Sequence, residues 1–134
     1  MDDKVELLRR VPLFAELDDR PLQAIATLAR ERAAKAGEVL TREGEPGDEF
    51  FVIADGTVHV ERAGEELRSI LAGGFLGEVA LVEGGSRTAT ATCATDCRLL
   101  VLGRFEFERV LASFPGVREH VLAAIARRPH GPAD

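Results

Sequence analysis

A chain of 134 residues is long enough to bury a core in one domain, hiding roughly two-thirds of its unfolded surface, and leaves no room for a second folded unit. Hydrophobic content of 46%, charged content of 30% and a formal charge of −6 fit a globular protein and argue against a surface built for nucleic acid. No apolar run of about 18 residues exists, and MDDKVELLRR lacks the apolar centre of a signal peptide, so the chain reads as cytoplasmic, with no membrane segment of its own.

Residues 2–32 read as helix in two pieces joined at VPLF. The second begins near Asp18, whose side chain is placed to cap it, with Pro21 in the first turn. Leu22, Ile25, Ala26, Leu28 and Ala29 give it an apolar face. From residue 33 to 102 the texture changes to short β-type runs: EVLTRE, EFFVIA, TVHVERA, ELRSIL, RTATATCA and CRLLVLG. Glycine-rich breaks separate them, at 43–49, 55–56, 63–65 and 72–74, and supply tight turns for antiparallel strands. Short strands at such spacing point to a sandwich, jelly roll or barrel.

After Gly103 the helical period returns, with Phe105, Val110, Leu111 and Phe114 on one piece. Pro115 ends it, and Val117, Val121, Leu122 and Ile125 stripe the next. The expected plan is one domain: helices over 1–32, a β-roll over 33–102, hinge and lid helices over 103–128, and a tail over 129–134. No internal repeat interrupts it.

Cys93 and Cys97 fit neither a CxxC redox pair nor a zinc half-site, and Cys93, on a strand, reads as a small core residue. His59 lies between Val58 and Val60 in an alternating run and is predicted to face solvent.

The stretch GGFLGEVALVEGGSRTATA, residues 73–91, carries the strongest chemical signal. Gly77 allows a tight turn whose outward N–H groups would attract an anion. Arg87 would complete a phosphate cradle through paired, charge-assisted hydrogen bonds, flanked by the hydroxyls of Ser86 and Thr88. Glu78 would repel a phosphate, but suits a ligand that also offers a hydroxyl donor, as a ribose does. On spacing alone, a surface hairpin in which Glu78 and Arg87 pair with each other fits as well.

The stretch also closely resembles the phosphate-binding cassette of the cyclic nucleotide-binding domain family. That family includes catabolite activator proteins, cyclic-nucleotide-gated potassium channels and the regulatory subunits of cyclic-AMP-dependent kinases. Leu76-Gly77-Glu78-Val79-Ala80-Leu81, the spacer 82–86 and Arg87-Thr88-Ala89-Thr90-Ala91-Thr92 follow its pattern throughout. VPLFAELDDRPLQAIA and AGEVLTREGEPGDEFFVIADGTVHV extend the likeness over nearly all of residues 5–128. The resemblance implies a mainly β fold with flanking helices, an eight-stranded jelly-roll-like β-barrel with N-terminal helices and a C-terminal hinge and lid.

It also implies a ligand site, with the cassette spanning 75–90. Gly77 and Ala80 would offer N–H groups to the cyclic phosphate, Glu78 would accept from the ribose 2′-hydroxyl, and Arg87 would bind an equatorial phosphate oxygen. Thr88 would bond the phosphate or the base, while Val60, Leu76 and Ala89, beside Val79, would pack the sugar and base. On the lid, Ile125, Arg127 or Arg128 would meet the base, the alternative being that Ile125 is core and the two arginines are solvated helix-end charges.

The function implied is a regulatory sensor for cyclic AMP in preference to cyclic GMP, with no cofactor, no catalysis and no nucleic-acid contact, acting on an effector domain or partner protein. The alternative is a ligand-silent interaction module of the same fold. A cupin-type metalloenzyme would need several histidines inside the barrel, and only His59 lies on an expected strand.

Overall fold

The computed structural model describes residues 3–12, 14–81 and 85–126. Two helices come first, α1 (Asp3–Arg9) and α2 (Asp19–Leu28). The strands follow: β1 (Arg30–Ala34), β2 (Val39–Thr41), β3 (Glu49–Asp55), β4 (Val58–Arg62), β5 (Glu65–Ile70) and β6 (Phe75–Leu76). A single 3-10 turn over Glu78–Leu81 leads to β7 (Thr90–Cys93) and β8 (Cys97–Gly103), and helices α3 (Arg104–Ser113) and α4 (Val117–Ala126) close the described chain.

Among the described residues the strands form two four-stranded antiparallel sheets, ordered β1-β8-β3-β6 and β2-β7-β4-β5. The barrel expected from the resemblance is thus two sheets packed face to face, with no ladder joining one to the other. The first sheet is the middle layer of three. Its two inner strands contain FFVI and LLVL, apolar at successive positions because both faces are buried. Side chains alternate across the pleat. Phe50, Val52, Leu100 and Leu102 join Phe14, Leu22, Ile25, Phe107 and Val110 of the helical layer. Phe51, Ile53, Leu99 and Val101 face Val58, Val60, Ala91 and Cys93 of the second sheet. Phe14 meets Phe50 edge-on, ring centroids 5.8 Å apart, and Phe107 at 6.0 Å, so aromatic contact ties entry and exit helices to β3.

Several elements differ from the sequence expectation. The N-terminal helices stop at Leu28, because RERAA pairs with β8 as an edge strand. Its arginines and glutamate hide the strand signal, and charge of this kind suits an exposed edge. Arg30 pairs with Glu49 and Arg32 with Glu38. The two-residue β6 is too short to leave a periodic trace and pairs with Phe51 and Val52. Asp18 sits at the start of α2 in extended conformation, yet its side chain makes no capping bond. Such a cap uses the N–H of the second or third helical residue, and the third is Pro21, which has none. At the other end of α2, the Lys4 ammonium donates to the carbonyl of Ala29 at 2.8 Å, which suits the negative end of a helix dipole.

The exit helices keep the expected break, since Ser113 ends α3 and Val117 starts α4. Their apolar stripe is placed differently. Phe105 is 73% exposed while Phe107, two residues on, is fully buried, because α3 turns its second aromatic, not its first, toward Phe14. Val117 and Val121 enter the helical core, whereas Leu122 is 44% exposed. The tail expected over 129–134 lies outside the described residues.

This difference on α3 gives a paired test. Phe107→Ala is expected to cost about 3–5 kcal/mol as a large-to-small change in the core, and Phe105→Ala less than about 0.5 kcal/mol. Urea unfolding of the two variants measures both.

Candidate functional site

The cassette begins where β6 leaves the middle sheet. Gly77 follows Leu76 at a φ of 86°, a left-handed conformation that glycine adopts without steric cost. A Cβ there would lie 2.8 Å from the Glu49 carbonyl oxygen and 2.9 Å from Nη1 of Arg87. The turn therefore needs glycine for both its conformation and its space. The 3-10 turn over Glu78–Leu81 starts at once, and the N–H of Ala80 donates to the Gly77 carbonyl at 3.0 Å. That amide, expected to face a phosphate, is engaged within the turn itself. The side chains of Glu78 and Val79 lie outside the described part of the structure.

Arg87 is held from three sides. Its backbone N–H donates to the Glu45 carbonyl at 2.8 Å, and its own carbonyl accepts from Gly44 at 2.9 Å. Residues 44–47 thus run alongside 85–87, joined by the isolated Pro46–Ser86 bridge. The guanidinium donates through Nη2 to the Glu49 carbonyl at 2.8 Å. It also packs against Gly47, where a Cβ would sit 1.9 Å from Nε. The half-buried arginine is thereby fixed against the turn at Gly77, ten positions earlier in sequence.

The remaining expected residues divide by role. Leu76 and Ala89 are buried in the core between the sheets, together with Val60, and Ala80 is buried beside them in sequence at the turn. Thr88 is exposed, and its carbonyl accepts from Arg62 Nε at 2.9 Å. Of the lid residues, Arg127 and Arg128 lie outside the described residues, as does the side chain of Ile125. His59 faces solvent as expected, bonded to Ser69 at 2.8 Å and near Glu66.

Sequence reasoning missed Gly47 and Glu49, which it treated as a turn and a strand start. Nothing in EGEPGDE announces a contact with an arginine 40 positions away in sequence; the glycine needed is one that makes space, not one that turns the chain. Among the described residues no group of His, Cys, Asp and Glu could hold a metal ion, and no described helix is long and apolar enough to cross a membrane.

A tight glycine turn set against an anchored arginine is a geometry suited to an anionic group, and comparison with known proteins identifies the family. Residues 31–114 match the family described as Cyclic nucleotide-binding domain. This chain belongs to that family. A cyclic nucleotide-gated potassium channel of Rhizobium etli is 36% identical over 127 residues, which cover 95% of this chain and 36% of the channel. A cGMP-dependent protein kinase of Caenorhabditis briggsae is 41% identical over 80 residues, covering 60% of this chain and 11% of the kinase. This cyclic nucleotide-binding domain thus spans only part of the length of the channel and kinase it matches. The crystal structure of the N-terminal domain of a transcriptional regulator from Streptomyces coelicolor A3(2) superposes with a TM-score of 0.83 at 35% identity, covering 91% of each chain.

Two glycines of nearly equal φ separate the conformational cost of the cassette turn from its steric cost. Gly44, at a φ of 85°, has open space where a Cβ would go, so Gly44→Ala is expected to lose about 1 kcal/mol for the left-handed backbone alone. Gly77→Ala adds the collision with Glu49 and Arg87, and should exceed that loss by at least about 1 kcal/mol. Thermal or urea unfolding of both variants measures the difference.

Proposed function

We propose that this domain binds a cyclic nucleotide, cyclic AMP in preference to cyclic GMP, and serves as a regulatory sensor without catalysis of its own. The observation that carries the reading is the Arg87 guanidinium fixed on Gly47 by the Glu49 carbonyl and set against the turn at Gly77. An arginine oriented before the ligand arrives loses less side-chain freedom on binding, and its planar donors match a phosphate.

In this reading Arg87 binds the cyclic phosphate and Gly77 presents backbone N–H beside it. Glu78 accepts from the ribose 2′-hydroxyl, since an ionised carboxylate only accepts. Thr88, exposed at the same edge, reaches the phosphate or the base. Leu76, Val79, Ala80 and Ala89 shape the wall. The exit segment 103–128 is hinge and lid, pivoting at the break between α3 and α4, with Ile125, Arg127 or Arg128 over the base. Contacts made only with the lid closed shift the open-closed balance, because only differential affinity does so. The signal passes to an effector domain or partner protein, as the channel, kinase and regulator relatives suggest by their names.

Calorimetric titration with cyclic AMP and cyclic GMP tests this. Binding is expected for both, tighter for cyclic AMP, and Arg87→Ala is expected to weaken it roughly 10- to 150-fold, the worth of one charge-assisted hydrogen bond. Glu78→Ala weakens it through the sugar, and Gly47→Ala weakens it by pushing the guanidinium off its seat. The absence of heat with either nucleotide would overturn the sensor reading in favour of a silent interaction module. Normal binding by Arg87→Ala would place the pocket elsewhere.

A further inference from the structure

The end of β7 away from Arg87 holds a feature that nucleotide binding does not use. Cys93 closes β7 in the second sheet, and Cys97 opens β8 in the first, four residues later. Both are free thiols, 1% and 4% exposed. They converge on one spot, the start of β4. Cys93 stands opposite Val58 in the ladder, while Cys97 Sγ lies 3.5 Å from the carbonyl of Thr57 and 3.4 Å from that of Thr95. Burial, and after it the neighbouring Cys97 thiol, pushes the Cys93 thiol up to about 12.

The two sulfurs differ in access. Cys97 lines a surface cleft of about 240 Å³, with Ala33, Lys35, Asp55, Asp96 and Arg98 around it. Both cysteines belong to the inter-sheet core, but Cys93 does not line the cleft, and Glu38 and Arg32 are among the charges that act on it. A small neutral oxidant entering the cleft meets Cys97 first and Cys93 next.

We propose that Cys93 and Cys97 are a peroxide-responsive dithiol, in which Cys97 is the attacking thiol and Cys93 resolves it to a disulfide joining the two sheets. Cys97 gives its proton to water and its sulfur attacks one peroxide oxygen. The O–O bond breaks, and the departing hydroxide takes up that proton as water, leaving Cys97 as a sulfenic acid. The Cys93 sulfur then attacks the Cys97 sulfur. The S–S bond forms, the S–O bond breaks, and the leaving hydroxide takes the Cys93 proton as a second water. Two thiols are oxidised to a disulfide and one peroxide is reduced to two waters.

The site is tested on the purified 134-residue chain with hydrogen peroxide as the probe. After treatment, unfolding and alkylation, the thiol titre is expected to fall from two per chain to none, the intact mass to drop by the two thiol hydrogens, and a 93–97 disulfide to appear by peptide mapping. Dithiothreitol should restore both thiols. In Cys93→Ala the sulfenic acid on Cys97 has no resolving partner and is trapped by dimedone, whereas Cys97→Ala leaves Cys93 unoxidised. Peptide mapping of the unaltered chain decides the matter even if a variant fails to fold. Two thiols surviving peroxide, oxidation of Cys97 to its sulfinic acid while Cys93 stays free, or a disulfide only between chains would each overturn the proposal.

Discussion

The pairing of β3 with β8, buried on both faces, is the constraint from which the rest of the structure follows. Each strand gives one set of side chains to the helices and the alternate set to the second sheet, so a shift of one residue would exchange the two cores. Register is therefore fixed, and with it the position of every atom at the strand ends. One of those atoms is the carbonyl oxygen of Glu49, the first residue of β3. It accepts from Arg87 and leaves no room for a side chain at Gly77. The hydrophobic layer thus sets where the cationic group stands.

The same logic explains why the cassette is built from small residues. Gly47 and Gly77 let the guanidinium lie against backbone on two sides, and the carbonyl of Glu49 accepts from its Nη2. Backbone hydrogen bonds between 44–47 and 85–87 hold the segment that carries Arg87, and the Glu49 carbonyl orients its side chain.

Much of this was legible in the sequence because the informative elements obey one physical rule at a time. The runs in β3, β4 and β8 declare themselves by apolar content, His59 by alternation, and Cys93 by its place on a strand. At 73–91 spacing alone left a Glu78–Arg87 hairpin as good a reading, and it is the family pattern of Leu76–Leu81 and Arg87–Thr92 that made the stretch legible. What escaped notice involves two rules in competition. The edge strand β1 is polar because it guards an edge, so its composition resembles a helix surface. Pro21 favours a helix start yet removes the donor that Asp18 would have capped. On α3, Phe105 and Phe107 both satisfy a loose apolar pattern, and only the position of Phe14 selects between them.

Gly47 marks a deeper limit of sequence reading. A turn glycine is recognised from its neighbours, since the left-handed backbone is a local need. A glycine that makes space is recognised only from whatever occupies that space, here an arginine 40 residues further on. The same holds for the thiols, whose convergence at Thr57 depends on two strands from different sheets meeting over a three-residue connection. A family pattern makes the cassette legible in the sequence, whereas the seat of its arginine is written only in the pairing of the sheets.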